Sequence, residues 1–192
     1  MTTSVLPLSN GSACRAACPV RAASGPVFVL SGSLSPVTAR QVAAARSYVT
    51  VPVDVRRLVE RDRAYPSAIV AQAASLLRAG SHVLAVTSDD AADAAGAERG
   101  RAVALASGAI VAGVLAQAPV RRFGIAGGDT SSHAVIALDA WALSYVAQIA
   151  AGVALCRLHT DNPALDGLEV MLKGGQMGPV GIFEHLVHGV PA

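Results

Sequence analysis

One local pattern recurs along this chain: an apolar run, then small polar residues or glycines, then the start of a helix. It appears at Ser31 to Pro36, at Gly127 to Ser132 and at Lys173 to Pro179. The first turn of a helix has backbone N–H groups without partners, and its dipole is positive at that end. Glycine lacks a Cβ, so backbone can close on a bound group. Together these features suit an anion, above all phosphate. In the middle segment, Gly127 and Gly128 precede Asp129 and Thr130, so that Thr130 or Ser131 could offer a hydroxyl to phosphate. Asp129 either holds Mg²⁺, directly or through water, or caps the helix. In the third segment Lys173, the only lysine, stands beside Gly174, Gly175 and Gln176. An ammonium there either meets phosphate charge or faces solvent from a tight turn. The lysine precedes its glycines and no Gly-Lys-Ser/Thr follows, so this is not a Walker A loop, and the dinucleotide Gly-x-Gly-x-x-Gly is absent.

Other reactive residues form no comparable group. His185 and His188 are three apart near the C-terminus, without an evident third metal ligand. Cys14, Cys18 and Cys156 are an odd set with neither a disulfide framework nor a zinc spacing, and read as free thiols of a cytoplasmic protein. Ser33 lacks a His/Asp pair for a hydrolase triad. Asp89 and Asp90 read as a solvated helix start or as an acid–base pair.

The elements that must carry the three loops follow from periodicity. Val27 to Leu30 is a short apolar run of the kind buried on both faces of a parallel sheet. Ser35 as N-cap and Pro36 at the first position open a helix to about Tyr48. Val49 to Val55 is a second strand, Pro66 opens a helix ending near Gly80, and His82 to Thr87 is a third strand. Asp89, Asp90 and Asp93 favour a helix start before a long Ala-rich helix, Glu98 to Gln117. Arg122 to Ala126 is a strand, and a helix from the glycine pair runs through Leu138. Ala142 to Leu158 is open between one helix and two strands. Leu168 to Leu172 is a strand and Val180 to Val187 a final helix. The expected fold is α/β, three-layered, with a mainly parallel sheet and helices on both faces. Ligand loops then lie at the carboxyl ends of the strands. Residues 1–25 read as a weakly ordered tail and residues 26–192 as one domain.

Composition narrows the function. Hydrophobic residues are 53%, charged residues 15% and aromatic residues 4% of 192, which excludes a disordered chain and argues against a base-stacking RNA module. A net charge of +2 is no nucleic-acid signature. Arginines crowd the first third (Arg40, Arg46, Arg56 and Arg57 among them), either as a solvated face or as a docking face for an acidic partner. The uncharged stretch Trp141 to Cys156 falls short of the about 20 apolar residues of a membrane span.

The three loops, in this order, resemble the C-terminal nucleotide-binding domain of the four-carbon acid sugar kinases. The matching strings are SGSLSPVTARQ at 31–41, AGGDTSS at 126–132 and GLEVMLKGGQMGP at 167–179, and the resemblance covers about residues 26–189. It implies strands across Ala142 to Leu158. It also implies an ATP site lined by Ser33, Ser35, Gly127 to Thr130 and Gly174 to Gln176, with Mg²⁺ as companion ion. Members resemble one another in pairing this domain with an N-terminal domain that binds the sugar acid. The implied partners are therefore ATP or ADP and a separate substrate-binding domain or subunit; a homo-oligomer is compatible. The sequence departs from the pattern at Ser88 to Ala92, where relatives carry Gly-Pro before the Asp pair, and at Gly181 and Ile182. The alternative expectation is a non-catalytic interaction domain with a vestigial nucleotide site.

Overall fold

The computed structural model describes residues 19–60, 64–88 and 97–190. Seven strands form one sheet: β1 (Val27–Ser31), β2 (Tyr48–Asp54), β3 (His82–Ser88), β4 (Arg122–Ala126), β5 (Ala140–Ala150), β6 (Val153–Thr160) and β7 (Glu169–Lys173), in the order β2-β3-β1-β4-β7-β6-β5. The strands from β2 to β7 in that order run parallel, and β6 and β5 add an antiparallel hairpin. Every residue of β1 and of β4 is buried, as in central strands of a parallel sheet covered on both faces.

Helices α1 (Pro36–Ala44), α2 (Val55–Val59), α3 (Ala64–Arg78), α4 (Ala97–Gln117), α5 (Gly128–Ala137) and α6 (Ile182–His188) complete the three layers. Leu77, Ile110 and Ala134 of α3, α4 and α5 join Phe28, Phe123 and Leu158 in the core on one face. On the other, Ile182, Phe183 and Leu186 of α6 pack on Val29, Leu84 and Met171, with Val42 of α1 against them. Helix α4 is long and apolar enough to cross a membrane by composition, but Ala104, Ile110, Val111 and Val114 are core residues packed within this fold. Arg122 fastens the lower end of the sheet: its guanidinium meets Glu169 at 2.6 and 2.7 Å and donates to the carbonyls of Arg21 and Leu186.

Several boundaries differ from the sequence reading. The first helix stops at Ala44, because Tyr48 is needed in β2, where its buried hydroxyl donates to Phe183 O at 2.9 Å. Strand β2 ends at Asp54, whose carboxylate accepts from Arg56 N–H and caps the unexpected helix α2. Helix α3 begins at Ala64, so Pro66 sits in its first turn, where a missing N–H costs nothing. Helix α6 begins only at Ile182. The open stretch resolves into β5 and β6, turning at Gly152 with φ 71°. Within the expected tail, Val20 is buried and bridges Val190. Cys14, Cys18, Asp89, Asp90 and Asp93 lie outside the described residues.

Candidate nucleotide site

The three loops converge. They leave β1, β4 and β7, which are adjacent at the centre of the sheet. The chain builds β2 and β3 on one side of β1 and then crosses to β4 on the other. The loops after β1 and β4 therefore flank the point where strand order reverses, the place where open α/β sheets bind ligands.

Hydrogen bonds fix the loops to one another. Gly32 N–H donates to Ala126 O at 2.8 Å, and Gly127 N–H donates to Lys173 O at 2.9 Å. Three glycines make the close approach possible. A Cβ on Gly32 would overlap the Thr130 side chain, and one on Gly175 would overlap Ser33 Oγ and meet Ser35 Cβ at 3.3 Å. Gly127 has φ 128°, a backbone region closed to most side chains, and its Cβ would lie 3.4 Å from the Gly32 carbonyl carbon. Gly128 is different: among the described residues, a Cβ there would meet no atom within 4 Å beyond its own helical turn. It is exposed, and it opens α5 with the N–H groups that precede the first intrahelical bond, Ser131 N–H to Gly127 O at 2.9 Å.

The side chains divide into those that face the opening and those that brace it. Asp129 is exposed in the first turn of α5; Gly127 is the N-cap and no side chain caps this helix, so Asp129 is not the cap. Ser131 is committed to Gly127 O at 2.7 Å, and Thr130 is buried against the glycines. Ser35 caps α1, accepting from Val37 N–H at 3.2 Å, while Ser33 Oγ accepts from Ser35 N–H at 3.2 Å. Gly174 and Gln176 are exposed at the mouth of the third loop.

Lys173 is not a solvent-facing turn residue. It is buried, with Nζ 3.1 Å from Thr38 Oγ1 and 3.1 Å from Gly174 O. Burial pushes its ammonium below the ordinary lysine value, and among the described residues no carboxylate partners it. Its charge is thus poorly compensated beside a cluster of helix N-termini, and an anion arriving there would stabilise it.

Two residues that sequence reasoning did not single out hold the third loop to α1. Thr38 accepts from Lys173 and gives its proton to Gly175 O at 2.8 Å, with Ser33 Oγ 3.3 Å from the same hydroxyl. Gln41 Nε2 reaches the carbonyls of Met177, Gly178 and Pro179 at 3.0, 2.9 and 3.1 Å. Both are fully buried, and their spacing of three on one helix face was the available signal.

Beside the loops lies a cleft of about 580 Å³, counting its open mouth. Leu34, Val55, Val103 and Ala104 give it apolar walls, and Gly32, Asp129 and Thr130 close the end next to the three loops. The remaining reactive candidates do not assemble. His188 Nε2 serves Ser47 Oγ at 2.9 Å and Glu184 at 3.1 Å, and no group of three metal-ligating residues forms among the described residues. Cys156 is half-buried, and burial pushes its thiol up, away from the reactive thiolate.

Comparison with known proteins gives the arrangement a family. A profile described as the nucleotide-binding C-terminal domain matches residues 28–183. The chain belongs to the C-terminal nucleotide-binding domains of the four-carbon acid sugar kinase family. It is 36% identical over 186 residues to a 3-oxo-isoapionate kinase of Paraburkholderia graminis, a match covering 88% of this chain and 39% of that protein. Among solved structures, it is similar to a Bordetella bronchiseptica protein seen with bound citrate as a domain-swapped dimer. There the TM-score is 0.68 and identity 26%, covering 84% of this chain and 40% of the other. A Haemophilus influenzae protein shares the fold with TM-score 0.72 at 24% identity, over 88% of this chain and 41% of its own. The nucleotide-binding domain thus spans about two fifths of these relatives' length.

Proposed function

We propose that this domain binds Mg-ATP for a kinase that transfers the γ-phosphoryl group to a hydroxyl of a four-carbon acid sugar. The observation that carries the reading is the convergence of three glycine-bearing loops at the sheet's reversal point, with Gly128 left open to a ligand. The 3-oxo-isoapionate kinase supports a sugar acid as acceptor.

In this reading the phosphates lie on Gly127 to Thr130 at the N-terminus of α5, between Ser33 and Ser35 on one side and Gly174 to Gln176 on the other. Lys173 supplies positive charge from beneath, held in place by Thr38. The nucleoside occupies the apolar cleft of Leu34, Val55, Val103 and Ala104. Asp129, exposed at the edge of that cleft and free of capping duty, fits Mg²⁺, which is commonly held by one or two carboxylates plus substrate phosphates. When bound, Mg²⁺ neutralises charge on the phosphate oxygens. Phosphoryl transfer needs chiefly positioning and charge stabilisation, and the loops provide both on the nucleotide side. The acceptor pocket and the group that orients its hydroxyl belong to a separate substrate-binding domain or subunit, the remaining three fifths of the relatives. The chain also associates with a second copy, as the domain-swapped relative does.

A coupled ADP-release assay over a panel of four-carbon acid sugars tests this. The domain alone gives no acceptor-dependent ADP; adding a matching substrate domain restores turnover. Robust acceptor-dependent turnover by the domain alone would overturn the division of labour. Failure to bind nucleotide at all would instead favour an interaction domain with a vestigial site.

A further inference from the structure

Strand β5 closes one side of the sheet, and its outer edge pairs with nothing among the described residues. It is 11 residues long and contains neither a charged residue nor proline. Trp141, Leu143 and Tyr145 are 68%, 37% and 62% exposed, and Ile136, at the end of α5 that feeds the strand, is 70% exposed. An open strand edge is a template for pairing, and proteins blunt such edges with charge, proline, bulges or a covering element. The opposite edge shows that management: β2 is shorter, carries Pro52 within it and ends on Asp54. Strand β5 has only bulges, at Ala140/Ala142, Tyr145/Ala147 and Gln148/Ala150, which leave Ala142 to Tyr145 in regular register.

We propose that β5 pairs antiparallel with β5 of a second copy of this chain, joining two sheets across a twofold axis normal to them. This rests on the self-association proposed above and names its surface. The strand is self-complementary in the required sense: it is neutral, so two copies meet without repulsion, and it offers a charged partner nothing to pair with. A twofold axis at Leu143 sets Trp141 of each copy across from Tyr145 of the other, an aromatic cross-strand pair of the kind that stabilises sheets. At their present exposure these two aromatic side chains offer roughly 300 Å² per copy, of which the joint covers the flanks that face across it. Leu143, Ile136 and the paired backbone extend that towards the about 800 Å² per partner of a stable interface. Strand β5 runs parallel to β4, so the antiparallel joint points the two nucleotide clusters to opposite ends of the doubled sheet, and both stay open.

Sedimentation velocity across a concentration series tests the assignment, with hydrogen exchange of the β5 amides as second readout. The wild type is expected to be a dimer whose β5 amides become protected as concentration rises. Leu143→Lys, which sets two ammonium groups against each other at the axis, and Tyr145→Lys, which replaces the aromatic partner of Trp141 with a charge, each raise the dimer dissociation constant on the order of 100-fold. Both keep the wild-type thermal response to Mg-ADP. A wild-type dimer indifferent to both variants would overturn β5 as the surface while leaving self-association standing. A monomeric wild type would overturn both. A monomer whose β5 becomes protected only when a substrate domain is added would give the edge to that domain and overturn the pairing.

Discussion

Gly128→Val separates a phosphate loop from a structural turn. Among the described residues, nothing beyond its own helical turn lies within 4 Å of the position its Cβ would take. Gly128 also has no positive φ to preserve, unlike Gly127. Replacing glycine in a first helical turn changes intrinsic helix propensity by only about 0.5 kcal/mol. For a domain of this size that moves the melting temperature by about 2 °C or less. The added methyl groups fill the space in front of the α5 N-terminus. Loss of one hydrogen bond to a charged phosphate costs about 1.5–3 kcal/mol, or roughly 10- to 150-fold in affinity. Calorimetric titration of both proteins with Mg-ADP, beside melting curves, measures each number. Gly127→Val is the counterpart. Its φ of 128° and contacts of 3.3 and 3.4 Å to Thr130 and Gly32 predict destabilisation by about 1–3 kcal/mol. A Gly128→Val protein that binds Mg-ADP with native affinity would refute the phosphate-loop reasoning.

Lys173→Met should fold and lose about tenfold or more in Mg-ADP affinity, about 1.4 kcal/mol, because the buried ammonium sits at the base of the third loop, 3.1 Å from Gly174 O. The folded ammonium sits below its ordinary 10.5, so the unfolded chain binds more protons in that window. Wild-type stability therefore climbs as pH rises towards 10.5, and denaturant titrations should show the climb missing in the variant. Ser47→Ala should destabilise by about 1–2 kcal/mol at neutral pH, since Ser47 gives both its N–H and its hydroxyl to Glu184. Burial alone would raise the Glu184 carboxyl, but those hydrogen bonds and His188 outweigh it and hold it below 4.5. That contribution is present above 4.5 and fades as pH falls through the folded value, so the gap between wild type and variant should narrow in acid. His82 accepts Val27 N–H on Nδ1 at 3.0 Å, and burial holds it below 6.5, so the bond needs a neutral ring. Amide exchange at Val27 should accelerate as pH-corrected protection is followed downward from 6.5; constant protection would contradict it.

What the sequence revealed depended on whether the signal was local. The apolar run at Val27 to Leu30, the short strand Arg122 to Ala126 and the cap at Ser35-Pro36 are local, and each of these elements starts where it was expected. The end of α1 was not legible, because Tyr48 is drawn into β2 by a hydroxyl bond to Phe183, 135 residues away. Strand β5 has its two faces against different surroundings and its register broken by bulges, which blurs a period of two. The loops were readable from glycine and capping residues. Their mutual contacts were not, since Gly32 against Thr130 and Gly175 against Ser33 join distant segments. The burial of Lys173 was equally hidden: a lone lysine between a strand and two glycines reads as exposed until Thr38 is brought over it.

In the proposed function these loops together hold a nucleotide's phosphates. The most direct measurement is a backbone-amide NMR titration of the domain with Mg-ADP. Saturable shifts should concentrate at Ser33 to Ser35, Gly127 to Thr130 and Gly174 to Gln176, with smaller ones lining the cleft at Leu34, Val55 and Val103. Absence of saturable shifts at millimolar nucleotide, or shifts centred elsewhere on the sheet, would contradict the account.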